Sequence, residues 1–141
     1  MDTEVMHTYL TLHRRIRRYS RELCGGGLSG RKISALRYLL EAGPRTIGQI
    51  RDYLFIGDSS TSELVRSLKK DGYVTRNRSV EDDRVVIVNL TASGASVAKT
   101  APLGGMPLLR ERLKTLNSDE LSSISVALNR MLGLLEEGND C

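Results

Sequence analysis

The chain has 141 residues, 40% of them hydrophobic, with 21 Lys and Arg against 17 Asp and Glu and a formal net charge of +4. That length fits one compact domain or one subunit of an oligomer, and the core must be largely aliphatic because there is no Trp and a single Phe. No apolar run approaches a membrane span, so no membrane partner is expected; Met1 is followed by Asp2 and Glu4 rather than by a basic and then apolar leader, and the expected location is cytoplasmic. The mild basic excess leans toward nucleic acid or another anionic surface.

Residues 2–23 read as one long helix. Val5, Tyr9, Leu12, Ile16, Tyr19 and Leu23 recur at alternating steps of four and three, a heptad-like seam narrower than the face of an ordinary globular helix. The glycines of CGGGLSG, Cys24 to Gly30, end it. Ser29 is placed to cap a second helix running to about Glu41, with Ile33, Leu36 and Leu40 on one face. Gly43-Pro44 forces a turn, and Thr46 caps a short third helix with Ile47, Ile50 and Leu54 inward. Gly57 and Asp58 break that helix and start a fourth, from about Ser59 to Lys70, whose buried side is Leu64, Val65 and Leu68. Asp71-Gly72 stops it.

A hairpin follows. Tyr73 to Arg78 reads as one strand, and the β-branched run Val85 to Val88 as its antiparallel partner. Between them Glu81, Asp82 and Asp83 crowd around one arginine, Arg84. Thr91 starts another helical stretch that must kink, loop or split at Pro102, Gly104, Gly105 and Pro107. Asn117-Ser118-Asp119-Glu120 opens a last helix, with caps followed by acids in the first turn. Its apolar stripe is Leu121, Ile124, Leu128, Leu132 and Leu135. The fold class expected is mainly α with a small β-hairpin: a winged helix-turn-helix whose terminal helices carry stripes that the middle cannot cover.

With those elements in order, residues 28–94 resemble the MarR (multiple antibiotic resistance regulator) family of bacterial winged-helix transcription factors. LSGRKISALRYLLEAGPRTIGQIRDYL is similar to the family's second and third helices, and SSTSELVRSLKKDGYVTR to its recognition helix and first wing strand. EDDRVVIVNLTASG resembles its wing, where an Asp-x-Arg pair, here Asp82 and Arg84, precedes a strand ending in Leu-Thr-x-x-Gly. The resemblance implies one domain over 1–141, with a DNA-binding lobe at about 28–94 and dimerisation helices at about 2–23 and 95–137. It also implies a homodimer on a pseudo-palindromic operator in double-stranded DNA, a repressor's role, and release by a small aromatic or anionic effector. Three features depart from the family: Asp83 stands where the wing often has an arginine, Asp58 where the recognition helix often begins with a basic residue, and APLGGMP where a continuous helix is usual.

The candidate DNA contacts follow from chemistry and placement. Ser59, Ser60 and Ser62 let the backbone approach closely and can bond phosphates or base edges. Glu63 can accept from a cytosine amino group, and Arg66 can reach guanine or phosphate. Arg31 and Lys32 open the second helix, Thr46 the third, and Arg76 lies on the wing strand. Arg84 is expected in the minor groove, with Asp82 holding it by a charge-assisted hydrogen bond. The bland alternative is that the acids of the tip only keep an exposed hairpin soluble. Val5, Tyr9, Leu12, Ile16, Leu121, Ile124, Leu128 and Leu132 are the candidate dimer contacts.

The arginines of HRRIRRYSR, His13 to Arg21, read first as a solvated face that adds long-range attraction to DNA. Residues 59–84 hold six basic and five acidic side chains, so much of any positive field must come from Arg14 to Lys32. Cys24 is a candidate thiol sensor, but an inert thiol is the better reading. His7 and His13 make no metal-ligand spacing, and there is no nucleophile elbow or phosphate loop. Neither metal, cofactor nor enzymatic activity is expected. The competing class is a winged-helix module that binds protein, which would need neither Arg84 nor long terminal helices.

Overall fold

The computed structural model describes residues 1–21 and 28–138. Leu23, Cys24 and Cys141 lie outside the described residues, as does the Tyr19 side chain. In chain order the elements are α1 (Asp2–Arg21), α2 (Gly30–Ala42), β1 (Arg45–Thr46), α3 (Ile47–Leu54), α4 (Asp58–Lys70), β2 (Val74–Arg78), β3 (Val86–Leu90), α5 (Ala92–Thr100), α6 (Gly105–Leu113) and α7 (Ser118–Glu136). They divide into two compact units, Met1–Pro107 and Leu108–Cys141.

Local capping sets the helix starts. Ser29 Oγ accepts the Lys32 N–H at 3.3 Å to begin α2. Thr46 and Gln49 form a reciprocal capping box at α3: the Thr46 hydroxyl accepts the Gln49 N–H at 3.1 Å, and Gln49 Oε1 accepts the Thr46 N–H at 2.9 Å. Asn117 accepts the Glu120 N–H at 2.8 Å to begin α7, with Asp119 and Glu120 in its first turn. The fourth helix starts one residue earlier than expected. Gly57 is the N-cap without any side-chain bond, and Asp58 is the first helical residue, its Oδ1 accepting from Arg51.

The first unit is built on one aliphatic core. Ile33, Leu36 and Leu39 of α2, Ile50 of α3, and Leu64, Val65 and Leu68 of α4 are buried with Val74, Val88 and Ala98. Ile33, Leu36, Ile50, Leu64, Val65 and Leu68 are inward positions that helical periodicity selects, whereas Leu39 is buried in place of the expected Leu40. Leu40, Ile47 and Leu54 are only partly buried against that core.

The expected hairpin is one part of a three-stranded antiparallel sheet, in the order β1-β3-β2. Arg45 pairs with Val88 and Thr46 with Ile87, while β2 pairs from Val74–Leu90 to Arg78–Val86. A strand of two residues has no periodicity to read, so β1 leaves no signal in the sequence. Val85 falls in the wing turn rather than in β3: its N–H donates to Asp82 O at 3.0 Å, and its carbonyl accepts the Ser79 N–H at 2.8 Å.

The base of the wing is clasped to α5. Thr91 caps α5 by accepting the Gly94 N–H at 3.0 Å, and its hydroxyl donates to Gly72 O at 2.7 Å. The Thr91 N–H donates to Tyr73 O at 3.1 Å. Gly94 is buried against this junction: a Cβ there would overlap the Tyr73 carbonyl oxygen. The Pro/Gly-rich stretch splits the helix, with α5 ending at Thr100 and α6 beginning at Gly105.

A candidate nucleic-acid interface

Helices α3 and α4 with the turn between them form a helix-turn-helix, and β2 and β3 form the wing that follows. Phe55 makes the turn in the left-handed region at φ 56°, and at the start of α4 Ser59 and Ser60 are exposed. The core side of α4 is Thr61, Leu64, Val65 and Leu68. Glu63 and Arg66 are exposed, and Ser62 is half-buried. One helix therefore presents two distinct faces, one packed and one polar, the pattern a groove-reading helix requires.

Arg51 of α3 spans the turn. Its Nη1 donates to Asp58 Oδ1 at 2.8 Å and its Nε to Asp52 Oδ1 at 3.0 Å. The hydrogen bond to Asp58, then that to Asp52, raises the Arg51 pKa above its ordinary value. No expectation singled out this arginine; the signal available was only the unusual acid at Asp58.

Of the two cations at the start of α2, Arg31 is exposed, whereas Lys32 is half-buried and its Nζ donates to Ser67 of α4 at 2.8 Å. Lys32 thus ties α2 to α4. The Thr46 hydroxyl is engaged in its capping box.

At the wing tip, Asp82 and Arg84 are joined. Asp82 accepts from Arg84 Nε at 3.2 Å, from Nη2 at 3.3 Å and from the Arg84 N–H at 3.1 Å. The Arg84 side chain, and then its backbone N–H, hold the Asp82 carboxyl below its ordinary pKa. The Arg84 side chain is 90% exposed. Asp83 is exposed, and its carbonyl accepts from Arg78 Nη1 at 2.8 Å. Arg76 is half-buried and lines a shallow groove of about 200 Å³ with Lys69, Asn77, Arg78 and Val86. Lys69 and Arg78 were not among the expected contacts; they are solvent-facing charges that gain meaning only when helix end and strand meet.

The apolar seams lie open. On α1, Val5, Tyr9 and Leu12 are exposed and Ile16 is half-buried; on α7, Leu121, Ile124, Leu128 and Leu132 are exposed. Among the described residues, no three His, Cys, Asp or Glu are grouped to hold a metal ion. No described helix is long and apolar enough to cross a membrane.

A three-helix core carrying a helix-turn-helix and a wing defines the winged-helix class of DNA-binding proteins. Residues 26–85 match the model of the MarR family. An HTH-type transcriptional regulator of Mycobacterium leprae is 33% identical over 106 residues, covering 75% of this chain and 74% of that protein. The transcriptional regulator BldR of Sulfolobus solfataricus superposes with a TM-score of 0.65 at 29% identity, covering 94% of each chain. AbfR, solved in reduced form bound to DNA, superposes with a TM-score of 0.65 at 21% identity, covering 96% of this chain and 94% of that one. The chain belongs to the MarR family and is a DNA-binding transcriptional regulator.

Proposed function

We propose that this regulator is a homodimeric repressor that reads a pseudo-palindromic operator, with the 28–94 lobe on DNA and the helices outside it joining the two copies. The reading rests above all on the wing tip. A lone exposed arginine loses rotamer freedom on entering a groove. Here Asp82 already orders Arg84 through its side chain and its backbone, which lowers that cost before DNA arrives. The narrow minor groove is where a guanidinium is most favoured.

The remaining contacts divide by role. Ser59, Ser60, Ser62, Glu63 and Arg66 of the recognition helix face the major groove. Arg31, Thr46 and Arg76 serve the phosphates, and Lys32 acts mainly by fixing α4 against α2. The seams on α1 and α7 support the dimer, because contiguous apolar stripes of that extent are rarely left in water. A second copy covers each, which sets two recognition helices about one DNA turn apart. A small aromatic or anionic effector releases DNA by preferring a dimer whose helix spacing misfits the operator. The protein acts by binding, in the cytoplasm, without a catalytic step.

Selection of bound sequences from random duplexes tests this reading. It is expected to return an inverted repeat with half-sites roughly 10 base pairs apart, centre to centre, or a multiple of that. Enrichment of an unrepeated site, or no enrichment, contradicts it.

A further inference from the structure

We propose that Asp58, held across the helix-turn-helix by Arg51, selects cytosine at one position of each half-site. The inference rests on the DNA-binding reading above and adds a base preference to it.

Asp58 is the first residue of the recognition helix, the end of such a helix that meets base edges. An acid in that place is costly near phosphates unless something offsets its charge. Arg51 offsets part of it: its Nη1 donates to Asp58 Oδ1 at 2.8 Å. Arg51 is itself fixed by the Nε bond to Asp52 at 3.0 Å, so Asp58 is held from a braced neighbour. The Asp58 side chain nevertheless remains 84% exposed. Its second oxygen, Oδ2, takes no hydrogen bond among the described residues. A carboxylate paired with a braced arginine and left with one open acceptor can receive a donor from outside the protein.

The chemistry of the major groove then decides which donor. A carboxylate only accepts. Guanine presents two acceptors there and thymine an acceptor with a methyl group, so both repel it. Adenine presents an amino group beside the N7 acceptor, which opposes the same carboxylate. Cytosine alone presents its N4 amino group without an adjacent acceptor. Arg51 is a positioning residue in this scheme, acting through Asp58.

The test is the same selection from random duplexes, run with the parent and with variants of the full chain. With the parent, cytosine is expected at one position per half-site, favoured about tenfold over other bases. Asp58→Ala should abolish that preference while leaving the other positions as they were. Asp58→Asn should move it toward adenine, because an amide can donate to N7 and accept from N6 together. Arg51→Met should weaken the cytosine preference at that same position alone, and Arg51→Lys should restore part of it. A loss of stability in Arg51→Met lowers affinity for every sequence alike and cannot produce a change at one position. If Asp58→Ala tightens binding to all duplexes equally and every preference survives, Asp58 is only a repelling charge and the proposal is wrong. If the parent itself selects nothing, the operator reading fails first; a parent that selects an inverted repeat unaltered by Asp58→Ala overturns the present proposal alone.

Discussion

Replacing Gly94 by alanine should destabilise the protein, although it puts a better helix former into α5. Gly94 is the third residue of α5 and is buried. Its added Cβ would overlap the Tyr73 carbonyl oxygen and come within 2.8 Å of Leu90 Cδ1 and 3.0 Å of the Tyr73 carbonyl carbon. The obstacle is main chain and cannot rotate aside as a side chain would. Moving Tyr73 lengthens the bond that its carbonyl accepts from Thr91, now 3.1 Å, at a cost of about 1 kcal/mol. Overpacking adds roughly 1–3 kcal/mol, and the gain in helix propensity returns about 1 kcal/mol. The net loss is therefore roughly 1–3 kcal/mol, a fall in Tm of roughly 3–12 °C for a chain of this size. Because the clasp anchors the wing, DNA affinity should fall as well. Gly48→Ala in α3 is the control, since its Cβ would meet only Arg51 Nη2 at 3.7 Å and Thr46 Oγ1 at 3.8 Å. Thermal unfolding monitored by circular dichroism reads both. Equal Tm values for Gly94→Ala and the parent would show that the junction is plastic and the reasoning wrong.

Three further outcomes are expected. At the wing, Arg84→Ala should cost roughly 1–3 kcal/mol of DNA binding; Asp82→Ala should weaken binding although it removes a negative charge, and Asp83→Ala should be neutral or improve it. Tighter binding by Asp82→Ala in an anisotropy titration would leave the carboxylate as bulk charge. Since Arg84 holds the Asp82 pKa down, the brace should persist below the ordinary aspartate pKa and be lost only as pH falls through the lowered value. In an NMR titration Arg84→Ala should raise the Asp82 midpoint, and an unchanged midpoint would mean that the two do not pair in solution. On the seams, Leu12 and Leu128 are 44% and 48% exposed in the single chain. Leu12→Asp or Leu128→Asp removes about 1.5–3 kcal/mol of burial per copy and adds an unpaired charge, so sedimentation should show monomer; a parent that is already monomeric at micromolar concentration contradicts the dimer.

The elements read most plainly where local chemistry and periodicity agree. Ser29, Thr46 and Asn117 each cap the helix they were expected to cap, Thr91 caps the helix it was expected to start, and Leu64, Val65 and Leu68 are the buried side of α4. The Asp82–Arg84 pair was also legible, because its members stand two positions apart and the geometry is local. Contacts between elements were not. The Lys32–Ser67 bond joins residues far apart in sequence, and nothing near Lys32 announces that its ammonium turns inward. The Arg51–Asp58 bridge depends on the turn at Phe55 bringing α3 and the start of α4 together. Strand β1 and the Gly94 contact with Tyr73 likewise exist only once the sheet has folded.

Salt dependence of DNA binding tests the central claim most directly. A dimer that sets recognition helices and wings on one duplex touches about six to ten phosphates, so log K should fall against log salt with a slope of roughly −5 to −9. The measurement is a titration of the selected duplex across about 50–200 mM salt, beside a scrambled duplex of equal length. The expected result is a steep slope on both, with tighter binding to the selected duplex at every salt concentration. A flat slope, or equal affinity for the two duplexes, would contradict the assignment of α4 and the wing as a sequence-reading DNA interface.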